Sequence, residues 1–238
     1  MTERVLLVVL AHPDDETFAI GGTLAKYAAE GVRVVLICAT RGEAGILGLP
    51  ARAAAQVRER ELRRAAATLG VAQVRFLGYP DGALALAEEE AVVSALVDAM
   101  HELQPQVIVT FGPDGISGHP DHVAIHRLTT LAFDRANLPA CLYYIAPSEA
   151  TLQGCGVAPP EAVAGGPGVG IDVSAHLVTK VRAMQRHASQ NPPFPGPPEV
   201  EATRLACHEY FTLARPTDRE GDATDLFCVA PKEMAWQC

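Results

Sequence analysis

The sequence predicts an α/β fold: a mostly parallel sheet with helices on both faces. Three observations carry that prediction. Short apolar runs alternate four times with longer Ala/Leu-rich segments, and such alternation makes strands parallel, each joined to the next by a crossover helix. The first run, Val5-Leu6-Leu7-Val8-Val9-Leu10, is continuous rather than alternating, as a strand buried on both faces requires. Two polar clusters, Ala11-His12-Pro13-Asp14-Asp15-Glu16 and Gly118-His119-Pro120-Asp121-His122, each follow such a run. Sheets of this kind bind ligands at the carboxyl ends of their strands, so both clusters point to one shared site.

After the first strand, Thr17–Glu30 reads as a helix stopped by Gly31, with Gly21-Gly22 marking close packing or a loop-like start. Val32–Ala39 is the second strand and ends in the loop Thr40-Arg41-Gly42-Glu43-Ala44-Gly45. Ala53–Leu69, where arginines and glutamates interleave with alanines, is an amphipathic helix closed by Gly70. Val74–Leu77 is the third strand, followed by the turn Gly78-Tyr79-Pro80-Asp81-Gly82. Glu88–Leu103 is a helix stopped before Pro105, Val107–Phe111 the fourth strand, and Asp121–Asp134 the next helix. His12, Glu43, Asp81, His119 and His122 therefore share one edge of the sheet.

Beyond Pro147 the pattern weakens. Leu142–Ile145 reads as a strand, Ala158–Gly170 as a surface loop, and Ser174 as the N-cap of a helix running to about His187. The proline-rich stretch Asn191–Pro198 excludes regular structure. One further helix or strand pair is expected around Glu209-Tyr210-Phe211. No composition shift demands a second domain: the chain reads as one domain over 1–238, with the motifs in about 5–190 and 191–238 completing the fold and pocket.

A net charge of -9 argues against nucleic acid or an anionic membrane as partner. The first apolar run is too short, and too soon followed by charge, for a signal peptide or membrane span. Six cysteines lie scattered without a C-x-x-C pair, which reads as reduced thiols in a cytoplasmic protein; Cys38 is expected to be a small buried side chain.

Imidazole and carboxylate together form a ligand set for zinc, and catalytic sites use three protein ligands plus an open position. His12 and Asp15, three apart at a strand-to-helix turn, can face one ion. Asp14 then points elsewhere as a candidate base, its anionic form favoured by helix N-terminal amides. The third ligand comes from the second cluster, where both the His119/His122 and the His122/His126 spacings serve and His122 belongs to each.

These motifs, with Thr40-Arg41-Gly42-Glu43, Leu77–Gly82 and His187-Ala188-Ser189-Gln190 in support, resemble the PIG-L/LmbE-like family of zinc-dependent de-N-acetylases. The resemblance implies a Rossmann-like three-layer sandwich with one zinc held by His12, Asp15 and His122. It implies Asp14 as general base and His119 as the group that steadies the oxyanion, and it removes His126 from the ligands. Arg58 and Asp81 match sugar-contacting positions, although Arg58 by itself reads as a solvated charge on a helix crowded with arginines. Asp121 is a candidate for holding His119 protonated. The expected substrate is a small N-acyl amino sugar conjugate, with no nucleic acid and no membrane insertion; a homo-oligomer is compatible with this reading.

Three other readings compete. One is an amidase cleaving a larger acyl group from a glycoside, antibiotic or thiol conjugate. Another is a non-catalytic metal-binding protein. The third, a dinucleotide-binding protein, is disfavoured because His-Pro-Asp-Asp stands where a glycine-rich phosphate loop belongs.

Overall fold

The computed structural model describes residues 3–146, 168–215 and 224–227. Seven strands form a single sheet in the order β3-β2-β1-β4-β5-β7-β6. They are β1 (Val5–Leu10), β2 (Arg33–Cys38), β3 (Gln73–Phe76), β4 (Val107–Phe111), β5 (Cys141–Ile145), β6 (Gly168–Asp172) and β7 (His208–Arg215). The helices are α1 (Asp15–Ala29), α2 (Ala51–Leu69), α3 (Glu89–Leu103), α4 (Pro120–Ala136), α5 (Leu177–Met184) and the single turn α6 (Pro198–Glu201).

β1 is central because all six of its residues are buried, and a strand with no polar face needs cover on both sides. It pairs in parallel with β2 on one edge and β4 on the other. β3 and β5 extend the parallel part, and β7 then runs antiparallel to both β5 and β6. α1, α2 and α5 pack together, as do α3 and α4. Because the chain leaves β1 toward β2 and leaves β4 toward β5, a crevice opens between the carboxyl ends of β1 and β4. Ligands bind open α/β sheets at such a reversal.

The early elements fall within a few residues of the sequence reading; the late ones differ in three places. Residues 168–170, expected in a loop, belong to β6. The glycines there alternate with Val169 and Ile171, which are buried, so a period of two was hidden by glycine content. The remainder of that expected loop lies outside the described residues, as do Cys155, Cys228 and Cys238. Ser174 does not cap a helix: its hydroxyl and amide both bond Asp172 Oδ1, at 2.6 and 2.9 Å, and α5 begins three residues later and ends at Met184. Pro198 opens α6 rather than extending the irregular stretch, a position where its missing N–H is harmless.

The Gly21-Gly22 pair has a clear cause. α1 breaks at Ile20 (φ -139°, ψ 21°), and a Cβ on Gly22 would lie 2.6 Å from Val173 Cβ. The break frees the amides of Gly22 and Thr23, which donate to Glu209 of β7 at 3.0 and 2.7 Å. Lys180 Nζ meets the same carboxylate at 2.6 Å, with both side chains buried. Glu209 thus caps the second half of α1 and neutralises Lys180. Replacing it by alanine strands a buried ammonium, so Glu209→Ala is expected to destabilise the fold by about 3–5 kcal/mol, read from urea denaturation. A loss within ~1 kcal/mol would refute this account.

Candidate metal centre

His12 to Asp15 form the turn between β1 and α1, and the loop after β4 delivers His119 and His122 at the start of α4. The rings of His12, His119 and His122 form a near-equilateral triangle, with centroids 4.8, 5.0 and 5.1 Å apart. His122 lies flat on Phe111, centroids 4.1 Å apart and planes at 7°. Its Nδ1 is 3.0 Å from the carbonyl of Gly115, a residue at φ 62° whose Cβ would come within 2.8 Å of the His122 Cβ. Only glycine lets the loop close so tightly on that ring.

These contacts set the tautomers. A carbonyl oxygen only accepts, so His122 carries its proton on Nδ1 and presents a lone pair at Nε2. His12 Nε2 lies 3.1 Å from Asp81 Oδ1 and 3.2 Å from Asp121 Oδ2; those carboxylates likewise require a proton on Nε2 and leave the lone pair on Nδ1. The two lone-pair nitrogens face each other at 3.1 Å. Asp15 joins them, with Oδ1 3.3 Å from His122 Nε2 and Oδ2 3.7 Å from His12 Nδ1. Three electron-pair donors at this spacing repel one another unless a proton or a metal cation lies among them. An ion with bonds of about 2.0–2.2 Å in tetrahedral geometry sets donor separations of roughly 3.3–3.6 Å. The chain's donors fit such an ion.

The electrostatics agree. Burial works against charging His12, yet the Asp81 hydrogen bond and the Asp15 charge raise its pKa to about 9. Burial also opposes a charged His122, but Asp15 carries its pKa upward. Asp15 is pushed down to about 2, burial notwithstanding, by His122 and His12. The pocket calls for positive charge.

His119 differs. Its Nδ1 accepts the backbone N–H of Asp121 at 3.2 Å and so caps α4; the neutral ring then keeps its proton on Nε2, as a hydrogen-bond donor. Burial first, then the charges of His12 and His122, lower its pKa. The Asp121 carboxylate is turned the other way, accepting the amides of Gly82 and Leu84 at 2.8 and 3.0 Å and facing His12. It does not hold His119 protonated. His119 also belongs, with His12 and His122, to a group whose donor atoms all lie within 4.8 Å; His12, Asp81 and Asp121 form a second such group. His126 points away, its Nδ1 2.8 Å from the carbonyl of Phe111.

Asp14 lies beside this centre at φ 112°, ψ -31°, a strained backbone for a non-glycine residue that costs about 1–3 kcal/mol. The expected help from helix amides is absent, since its side chain makes no capping bond. Its Oδ2 instead accepts Arg58 Nη2 at 3.0 Å. Burial, then the Asp15 charge, raises its pKa to about 7, while Arg58 opposes the rise.

Arg58 is no solvated charge. It is 4% exposed, and its guanidinium also donates to the carbonyls of Pro13 and Gly42. Asp81 is held by the amide of Ala44 at 2.9 Å, and its own N–H donates to Glu43 Oε1 at 3.0 Å, so Glu43 shapes the loop. The sequence reading did not find the roles of Asp81 and Asp121 as partners of His12 Nε2, nor the pairing of Glu16 with His187. Glu16 and Asp121 sit inside the motifs, but nothing in their spacing tells which way they face.

The model of the family described as PIG-L, GlcNAc-PI de-N-acetylase, matches residues 7–133. A 1D-myo-inositol 2-acetamido-2-deoxy-alpha-D-glucopyranoside deacetylase from Rhodococcus jostii is 33% identical, over 95% of this chain and 98% of that one. Its namesake from Thermobifida fusca is 34% identical, over 95% and 100%. Among solved structures, the conserved protein TT1542 from Thermus thermophilus superposes with a TM-score of 0.64 at 28% identity, covering 89% of this chain and 95% of that one. GalB, a 4-carboxy-2-hydroxymuconate hydratase from a pseudomonad, reaches 0.70 at 19% identity over 92% and 99%, so the fold alone does not select the reaction. With more than half its length matched and a centre built from the two strand-end clusters, the chain belongs to the PIG-L family of de-N-acetylases.

Proposed function

We propose that this chain is a zinc-dependent hydrolase that removes the N-acetyl group from an N-acetylglucosamine-type conjugate. Relatives similar to it over nearly their whole length are named as deacetylases of such a conjugate, and hydrolysis of a linear amide bond is the activity they share. The observation that carries the reading is the meeting of His12 Nδ1, His122 Nε2 and the Asp15 carboxylate at 3.1–3.7 Å. These three residues would hold the ion. A divalent cation bound there would supply Lewis acidity and lower the pKa of water toward neutrality.

The chain's own groups do the rest. Asp14 takes a proton from the attacking water and later hands it to the departing amine nitrogen. His119, with its proton on Nε2, donates to the carbonyl oxygen as negative charge develops there; such a donor contributes about 2.7–4 kcal/mol. Asp81 and Asp121 fix the His12 ring and its tautomer, as partners of metal-binding histidines do. Arg58 and Asp81, the substrate-binding candidates, are both engaged with the protein, so their part in sugar binding is to hold Asp14 and His12 in place for the sugar. Among the described residues no helix is long and apolar enough to cross a membrane, and the substrate is a small molecule.

The test is release of free amine from N-acetylglucosaminyl-inositol and from simple N-acetylglucosaminides by the zinc-loaded chain. Chelation is expected to abolish turnover and added zinc to restore it. Turnover that survives complete chelation would exclude the metal mechanism. A panel of longer acyl groups tests the acetyl assignment, with acetyl expected to give the highest kcat/KM.

A further inference from the structure

In contact with the Asp14 backbone lies a buried ionisable pair that the reaction itself does not use. Glu16 and His187 are both 0% exposed. His187 Nε2 is 2.7 Å from Glu16 Oε1, and the other carboxylate oxygen of Glu16 accepts the backbone N–H of Asp14 at 2.9 Å. His187 Nδ1 has no hydrogen-bond partner among the described residues, so this ring is committed to Glu16.

We propose that the Glu16–His187 pair is the positioning device that holds Asp14 in its strained backbone conformation and thereby aims its carboxylate into the site. The inference rests on the reading of Asp14 as general base. A residue held in a sparsely populated region of φ/ψ space stays there only when its surroundings over-determine it. At Asp14 the surroundings do so by holding both sides of the Pro13–Asp14 peptide and the side chain itself. Arg58 Nη2 grips the Pro13 carbonyl and Asp14 Oδ2, while Glu16 grips the Asp14 amide. His187 holds the Glu16 carboxylate in the orientation that makes this contact.

His187 is in turn seated by the turn that follows it. Ser189 bonds the Glu61 carboxylate through its amide and hydroxyl at 2.9 and 2.6 Å. Glu61 lies on α2 three residues after Arg58, so both grips on Asp14 are referred to one helix. Gln190 Nε2 reaches the carbonyl of Gly45 at 3.3 Å. A segment 171 residues beyond Glu16 in sequence thus clamps the base. For folding alone, an apolar pair would fill the same space without the desolvation penalty of a buried carboxylate and imidazole. That penalty makes sense where a particular backbone geometry has to be kept.

The experiment compares His187→Leu and His187→Gln in the zinc-loaded full chain. Leucine leaves Glu16 without its donor. It is expected to lower kcat by about 10- to 100-fold with KM within twofold, and with zinc content and chelator-competition affinity within threefold of the parent. The glutamine amide can reach Glu16 from the same direction and is expected to restore kcat to within fivefold. Where leucine prevents folding, His187→Asn takes its place: it offers the same amide one methylene short of Glu16, and the same loss in kcat is expected. The proposal is overturned if glutamine is as impaired as leucine or asparagine, if kcat is unchanged in all three, or if the loss appears in KM or in zinc retention instead. A parent chain without deacetylase activity would sink the deacetylase reading itself; an active parent with indifferent variants sinks the positioning role alone.

Discussion

Asparagine at position 14 is expected to lower kcat by about 10²–10⁴-fold, the span that general acid–base catalysis contributes, while one metal per chain is retained. The side chain is isosteric and its carbonyl oxygen can still accept Arg58 Nη2, which now sits 3.0 Å from Asp14 Oδ2. What it cannot do is accept a proton from water or return one to the amine. His12, Asp15 and His122 are untouched by the change, so metal analysis separates loss of the base from loss of the ion. KM is expected to stay within a few-fold, because the deficit lies in proton transfer rather than in binding. A kcat within tenfold of the parent, with metal still bound, would remove Asp14 from the role of base.

The second large effect concerns the ion. Zinc at a hundredfold its Kd is expected to stabilise the parent chain by about 2.7 kcal/mol through mass action, visible as an upward shift in Tm. His122→Ala removes one of the three lone-pair donors and empties the space that Phe111 stacks against at 4.1 Å. The zinc-dependent shift in Tm is expected to vanish and activity to fall to background at all zinc concentrations. His126→Ala, four residues on along the same helix, serves as the control. It leaves the three donors in place and is expected to keep the shift, because its Nδ1 is engaged with the Phe111 carbonyl. A zinc response that survives His122→Ala would move the metal to the group formed by His12, Asp81 and Asp121.

Much of the parallel sheet was legible because the signals that make it are local. Val5–Leu10 has no polar face to show to water, and the amphipathic run that becomes α2 has one polar stripe; hydrophobic burial settles both before any long-range contact forms. The later part was harder to read for a physical reason. β6 is made of glycines alternating with two buried apolar residues, and it is a strand because β7 lies beside it. Ser174 had the composition of a cap, yet Asp172 took its hydroxyl.

The same division runs through the site. The sequence by itself determined which residue types stand at the ends of β1 and β4, and so that imidazoles and carboxylates face each other across the reversal of the sheet. Tertiary structure alone decided which nitrogen of each ring is free. Asp81 and Asp121 claim Nε2 of His12, Gly115 claims Nδ1 of His122, and Asp121 turns toward His12 instead of His119. It also decided that Arg58 is buried against Asp14 and that His187 stands behind Glu16. Spacing along a chain limits which side chains can meet. The direction of a lone pair is set by partners that arrive from other strands and helices, and those partners have no fixed offset in the sequence.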